Sequence, residues 1–362
     1  MNLLHICSIT NNKTSGISNV VPDHFINQKK HENVALLNCN KTRIERLKRE
    51  KNVFYLDKIK NFDKLPKPFN HPDLVIFHGI YFFQYIKIYK KILENNIPYI
   101  IIPHGSLTTD AQKIKPLKKH FANLFIFNKF IYKSNYIQYL SDNELNMSKK
   151  FNHNSFVLGN GINKSNKIKE KFSNNGIKLI YVGRYAIYHK GIDILLDSCE
   201  KAYDIMKKNN ITLSLYGSGN DGIEKIQKMV DEKKINDIVN VNGPIFGKEK
   251  REIILKHDFF IQMSRLEGQP LGIMEAMTFG MPIIVSEGTT FSKIADKEKC
   301  GFCCSNSNDF SHVIECIIKE NADNFKLMGL NSLKYSKNNF LWANVADNTI
   351  KKYKEIINND WW

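Results

Sequence analysis

A chain of 362 residues exceeds the roughly 100 to 200 residues that one core usually holds, so two domains are expected. Apolar residues make up 42% and charged residues 25%, which excludes wholesale disorder, and no apolar run nears the ~20 residues that span a bilayer. The excess of 53 basic over 36 acidic residues, a net charge of +17, points to an anionic partner: nucleic acid, an acidic membrane face or a phosphorylated ligand.

The opening Met1-Asn-Leu-Leu-His-Ile-Cys-Ser has no basic region and no long apolar stretch, so no signal peptide and a cytoplasmic location are expected. Asn2–Ile9 reads as a strand and Gly16–Lys29 as a helix. Val34–Leu37, Leu74–Phe77 and Tyr99–Ile102 are short, β-branched and bounded by turn residues, which predicts buried strands. Tyr136–Leu140 and Ser155–Leu158 continue the series. The polar stretch Asn160–Gly176 reads as a linker. Alternation then restarts, with strands at Lys178–Val182, Thr212–Tyr216, Ile238–Val241, Phe259–Gln262 and Pro282–Val285. Helices are predicted at Ile192–Lys207, Asp221–Glu232, Lys248–His257 and Leu271–Phe279. Such βα alternation predicts two doubly wound α/β domains, 1–160 and 161–338. Residues 339–362 carry helical spacing through Phe340, Trp342, Val345, Ile350, Tyr353 and Ile357. They end in Trp361-Trp362, which suggests a tail crossing back to the first domain.

The seven cysteines are scattered and odd in number, which argues against a disulfide framework. Cys300-Gly-Phe-Cys303 lacks a second ligand pair, so small buried side chains near a strand end are expected rather than a metal site.

Ligands of open α/β sheets bind beyond the carboxyl ends of the strands, and two segments there carry chemistry. In Met263-Ser-Arg-Leu-Glu267-Gly268-Gln269-Pro270-Leu271-Gly272, a strand runs into a Gly/Pro turn and a helix start. Its free amides suit an anion, and Glu267 and Glu275 can accept hydrogen bonds from sugar or ribose hydroxyls. In Val182-Gly183-Arg184 to His189-Lys190-Gly191, two cations lie on a strand-to-helix loop, where they could clamp a diphosphate or simply be solvated.

Together these segments resemble the retaining glycosyltransferases of glycosyltransferase family 4, with the two-domain GT-B fold. The likeness rests on E-x₇-E set in S-x-x-E-G-x-P-L, on V-G-R followed by K-G-I-D-I-L-L, on Leu215-Tyr-Gly217-Ser-Gly219, and on Leu158-Gly-Asn160-Gly161-Ile162. It covers the second domain from Asn160 to about Asn308 and is looser in the first. The resemblance implies that Arg184 and Lys190 hold the donor diphosphate and stabilise the leaving group. It implies that Glu267 contacts the donor sugar, with Gly268, Gln269, Pro270 and Leu271 nearby, and that Glu275 holds the ribose. In the first domain, Thr14-Ser-Gly16 is similar to the family's glycine loop, and Pro103-His104-Gly105 to the loop whose histidine lies close to the transferred sugar. His78 ends a strand on the same side. Ser15 replaces one of the family's two adjacent glycines, and five residues rather than four separate Arg184 from Lys190.

No D-x-D motif is placed to hold a metal on a diphosphate, so no metal or other cofactor is expected and the two cations would supply the charge. The expected reaction moves a hexosyl unit from a nucleotide sugar, a UDP-sugar ahead of GDP-mannose, to a glycan or polyprenol-diphosphate-linked acceptor in polysaccharide assembly (capsule or O-antigen). The alternative is a GT-B-fold sugar-nucleotide epimerase. A nucleic-acid-binding protein rests on charge alone, with no recognition motif, and no nucleic-acid partner is expected. Between Asp110 and Asp142 no acidic residue occurs, whereas Lys113, Lys115, Lys118, Lys119, Lys129 and Lys133 do, beside Leu117, Phe121, Leu124 and Phe125. That segment and Tyr81–Leu93 could rest on an anionic membrane or be ordinary helices with a solvated lysine face.

Overall fold

The computed structural model describes all residues except 114–115, 149–150, 152–153, 174, 220, 266 and 360–362, and the side chains of 116, 118, 120 and 359. The Trp361-Trp362 pair therefore lies outside the described residues. The chain divides into two compact units, Met1–Gly161 with Trp342–Trp362, and Ile162–Leu341.

The first unit is built on seven parallel strands: β1 (Asn2–Cys7), β2 (Asn33–Asn38), β3 (Val53–Tyr55), β4 (Leu74–His78), β5 (Tyr99–Ile102), β6 (Tyr136–Tyr139) and β7 (Ser155–Val157). Their order is β3-β2-β1-β4-β5-β6-β7. Sequence order therefore reverses between β1 and β4, which opens the sheet's carboxyl edge there. Period-2 alternation along β1 sends Leu4 and Ile6 to one face with Phe77, Tyr85 and Phe130. Leu3 and Cys7 go to the other face, with Val21, Phe25, Ile350 and Tyr353. The helices Gly16–Gln28 and Trp342–Asn359 cover that second face.

The second unit has six parallel strands: β8 (Ile177–Arg184), β9 (Ile211–Ser218), β10 (Val239–Asn242), β11 (Phe259–Gln262), β12 (Ile283–Ser286) and β13 (Gly301–Cys304). Their order is β10-β9-β8-β11-β12-β13, with the reversal between β8 and β11. Leu179, Tyr181, Leu213 and Phe259 face one apolar layer, and Ile180, Phe260, Ile283 and Val285 the other.

Several expectations need correction. The predicted helix Ile192–Lys207 is two helices, Ile192–Lys201 and Tyr203–Lys208, because Ala202 leaves helical dihedrals at φ −93°, ψ 11°. The polar stretch read as a linker is packed down on the second unit. Lys169 is buried against Asp258 at 3.4 Å, with its ammonium over the Phe172 ring, and Asp258 also accepts from the Ser173 and Lys178 amides. A run of Asn, Lys and Ser signals solvation, and only the buried carboxylate waiting for it makes this lysine structural. Residues 339–341 remain with the second unit, where the Ile162 amide donates to the Phe340 carbonyl at 2.7 Å. Two strands went unpredicted. β3 is short and half-buried, and β13, Gly-Phe-Cys-Cys, contains no β-branched residue. Cys300 and Cys304 are buried free thiols beside and within β13, pushed up to about 12 by burial.

Candidate functional site

The loops after β8 and β11 meet at the carboxyl edge of the second sheet, at its reversal point. Glu267 sits at their junction. Its Oε1 accepts from Gln262 Nε2 at 2.9 Å and Ser264 Oγ at 2.9 Å, and it pairs with the Lys190 ammonium. Lys190 is 20% exposed and Glu267 12%, so the pair is largely withdrawn from water. The geometry is set from behind by residues that sequence reasoning passed over. Arg265 binds Asp193 through two bonds of 2.7 and 2.6 Å, donates to the Tyr188 carbonyl at 2.9 Å and stacks on the Tyr188 ring. This fork ties the Lys190 loop to the Glu267 loop, a role that planar guanidinium geometry favours. Nothing in the sequence separates Arg265 from other surface arginines.

Two glycines let the backbones close. Gly191 has φ +59°, and a Cβ there would lie 1.8 Å from the Met263 carbonyl oxygen. Its left-handed turn ends the helix Ile187–Lys190 and begins Ile192–Lys201, which carries Asp193. A Cβ on Gly288 would meet the Ser264 and Arg265 carbonyls at 2.3 Å.

Arg184 ends β8 with an exposed side chain whose stem packs by Gly219. Its carbonyl accepts from the buried Tyr181 hydroxyl at 2.9 Å. Burial first, and the nearby Glu267 charge next, push that hydroxyl well above its ordinary range. Gly268 and Gln269 are half-buried and Pro270 is buried. The helix Leu271–Thr278 starts directly after Pro270 with no side-chain cap, and Gly272 lets it approach the Val182 carbonyl of β8. Glu275, one turn in, pairs with Lys250 from the helix Gly247–Leu255. The structure therefore joins Lys190 with Glu267, but gives Glu275 a different cation that the sequence did not single out.

In the first unit, the expected loop residues lie at the carboxyl ends of β1 and β5. Gly16 opens the helix Gly16–Gln28 in open space, since a Cβ there would meet no atom within 4 Å. Ser15 is the N-cap of that helix, accepting from the Ser18 amide at 3.4 Å. His104 follows β5 at φ +50°, a left-handed conformation uncommon for histidine. The turn is held by Glu144, whose buried carboxylate accepts from the Gly105 amide and, at 2.7 Å, from the Leu140 amide. Burial raises the Glu144 carboxyl and the two amides oppose it. His104 Nε2 lies 3.0 Å from His78 Nδ1. Among the described residues no group of three or more His, Cys, Asp or Glu is arranged to hold a metal ion.

The suggested membrane segments divide. The helix Phe83–Glu94 buries Tyr85, Ile88, Tyr89 and Ile92 in the core, so its lysines form an ordinary solvated face. Lys119 is also withdrawn, with its ammonium on the Ala111 carbonyl and over the Tyr81 ring. Lys115 and the Lys118 side chain lie outside the described residues. Leu117, Phe121, Leu124 and Phe125 are nonetheless 57% to 75% exposed. No described helix is long and apolar enough to cross a membrane.

Residues 163–328 match the family model described as Glycosyl transferases group 1. An uncharacterized glycosyltransferase of Methanocaldococcus jannaschii is 29% identical over 54% of this chain and 48% of its own length. The GDP-mannose:cellobiosyl-diphosphopolyprenol alpha-mannosyltransferase of Xanthomonas oryzae pv. oryzae is 22% identical over 63% of this chain and 60% of its own length. The chain thus spans about half of the first of these relatives and three fifths of the second. Anabaena HepE, solved in complex with UDP and glucose, aligns with a TM-score of 0.72 at 14% identity, over 98% of this chain and 100% of that one. That likeness shows the fold, two Rossmann-like α/β domains as in GT-B glycosyltransferases. The matched residues 163–328 hold both cation–carboxylate pairs.

Proposed function

We propose that the protein is a retaining, metal-independent glycosyltransferase that moves a hexosyl unit from a nucleotide sugar to a glycan or polyprenol-diphosphate-linked acceptor in polysaccharide assembly. The observation that carries this is the Lys190–Glu267 pair at the β8/β11 reversal point, backed by Gln262 and Ser264 and set before an uncapped helix start. A sugar diphosphate suits both halves. Its phosphates match Lys190, Arg184 and the first-turn amides of the helix Leu271–Thr278, and its sugar hydroxyls match the Glu267 carboxylate. Glu275, held by Lys250, is the carboxylate for the ribose. His104 faces the transferred sugar. As the anomeric C1–O bond breaks, the leaving diphosphate gains negative charge. One well-placed donor on such charge lowers a barrier by roughly 3 kcal/mol. The acceptor oxygen bonds C1 on the same face and its proton passes to the departing phosphate oxygen.

UDP-sugars are the first donors to test and GDP-mannose the second. The Xanthomonas relative is named for GDP-mannose and a diphosphopolyprenol acceptor, and HepE was solved with UDP and glucose. Peripheral docking on the cytoplasmic face of an anionic membrane fits the exposed Leu117, Phe121, Leu124 and Phe125 beside Lys113, Lys129 and Lys133. A nucleotide-sugar panel read by thermal shift identifies the donor. With that donor, Arg184→Ala and Lys190→Ala each lower turnover at least about tenfold with the fold intact. Full activity in both would overturn the reading.

A further inference from the structure

Four histidines of the first unit form one hydrogen-bonded line with Gln28 and Asn160. His104 Nε2 lies 3.0 Å from His78 Nδ1, His78 Nε2 2.8 Å from His5 Nδ1, and His5 Nε2 3.0 Å from Gln28 Oε1. Gln28 Nε2 then reaches His24 Nδ1 at 3.3 Å, and His24 Nε2 reaches Asn160 Oδ1 at 2.8 Å. The sheet register explains the assembly. His5 lies opposite Ile76 across the β1/β4 reversal, so His78, two residues further, shares its face. The helix Gly16–Gln28 lays His24 and Gln28, one turn apart, over that face. His5, His24, Gln28 and His78 are fully buried.

The line has a direction. His24 Nε2 meets Asn160 Oδ1 at 2.8 Å, an oxygen that only accepts, so His24 carries its proton there. Its bare Nδ1 accepts from Gln28 Nε2, which turns Gln28 Oε1 toward His5. An amide oxygen only accepts, so His5 carries its proton on Nε2 and leaves Nδ1 bare. The His5 Nδ1 lone pair requires His78 to be protonated on Nε2, and the bare His78 Nδ1 requires the same of His104. A neutral imidazole has one N–H, so His104 Nδ1 is left as a lone pair, with no partner among the described residues. Neutrality follows from burial, which holds His5 and His104 down to about 3 and His24 to about 4.

We propose that His78, backed by His5 and Gln28, is a positioning residue that locks His104 as the Nε2–H tautomer and so presents its Nδ1 as an acceptor for a ligand hydroxyl. The ligand half of this rests on the reading that His104 faces the donor sugar. A fixed acceptor selects a hydroxyl over a deoxygenated carbon, because losing the partner leaves a buried lone pair unmet.

The test uses the full chain labelled with ¹⁵N-histidine, and long-range ¹H–¹⁵N correlation spectra at pH 7.5. His104 shows a protonated Nε2 and a bare Nδ1. His78→Phe removes the acceptor and gives mixed tautomers at His104, with turnover about tenfold lower. His78→Asn, which places an amide oxygen near the lost Nδ1, restores the single tautomer and most of the turnover. A wild-type spectrum with Nδ1 of His104 protonated overturns the proposal without any variant, as does an unchanged His104 signal in folded His78→Phe. Unchanged turnover in His104→Ala overturns the sugar-facing reading instead, whatever the spectra show.

Discussion

The same histidines make the first unit sensitive to acid. In the unfolded chain a histidine has a pKa of about 6.5. In the fold, His5 and His104 are held to about 3 and His24 to about 4, chiefly by burial, and His78 lies well below the ordinary range. Depressed folded values mean the unfolded state binds more protons as pH falls. The stability is therefore fully present above about pH 6.5 and is lost progressively toward the folded values. At pH 5 each group costs about 1.4 kcal/mol per pH unit over about 1.5 units, or about 2 kcal/mol. His5, His24 and His104 together give about 6 kcal/mol, and His78 adds in the same direction. Because pH 5 lies above all the folded values, this size depends on the unfolded pKa almost alone. A whole domain is stable by only about 5 to 15 kcal/mol, so the first unit should approach its unfolding midpoint near pH 5. The second unit has one histidine so held among its described residues, His257, and should lose far less. Calorimetry from pH 8 to pH 5 measures the loss. Hydrogen exchange read on β1 and β4 peptides assigns it to the first unit. Trp342, whose ring meets His24 edge-on at 4.8 Å, supplies a fluorescence reporter. Unchanged protection of β1 and β4 between pH 7 and pH 5 would refute the reasoning.

Glu267→Gln should chiefly lower kcat and Glu275→Gln chiefly raise the donor KM, since only contacts that strengthen at the reacting centre act on kcat. Lys250→Met should copy the Glu275 effect, because Glu275 loses the cation that orients it; steady-state kinetics with the identified donor reads both. Activity should survive excess EDTA, and abolition with rescue by manganese would replace the two-cation mechanism with a metal one. Binding to anionic vesicles should fall as salt rises and should be weakened by Phe121→Ser with Phe125→Ser, read by co-sedimentation. Gly191→Ala should lower stability by about 1 to 2 kcal/mol from the left-handed backbone alone, with the Met263 carbonyl contact adding to it in a thermal melt.

The parallel strands were legible because strands buried on both faces must be continuously apolar, as in Leu74–His78 and Tyr99–Ile102. Glu267, Lys190 and Glu275 stood out because glycines and a proline punctuate the segments that carry them. Local spacing carries no information about partners distant in sequence. The Lys250–Glu275 pair spans 25 residues, Arg265–Asp193 spans 72, and Glu144 reaches Gly105 across 39. Lys169 lies in the stretch read as a linker because its residues are polar, and Asp258 meets it from elsewhere in the second unit. His5 and His24 are single histidines within a strand and a helix. Only the β1/β4 register and the helix laid over it bring them into line with His78 and His104. Which segments are strands and which loops carry charge can be read from the chain, because both follow from periodicity and turn chemistry within a few residues. Which charges are paired, which are buried and which nitrogen of each histidine holds the proton emerge only on folding, because a buried polar group takes its state from the partner the fold brings to it.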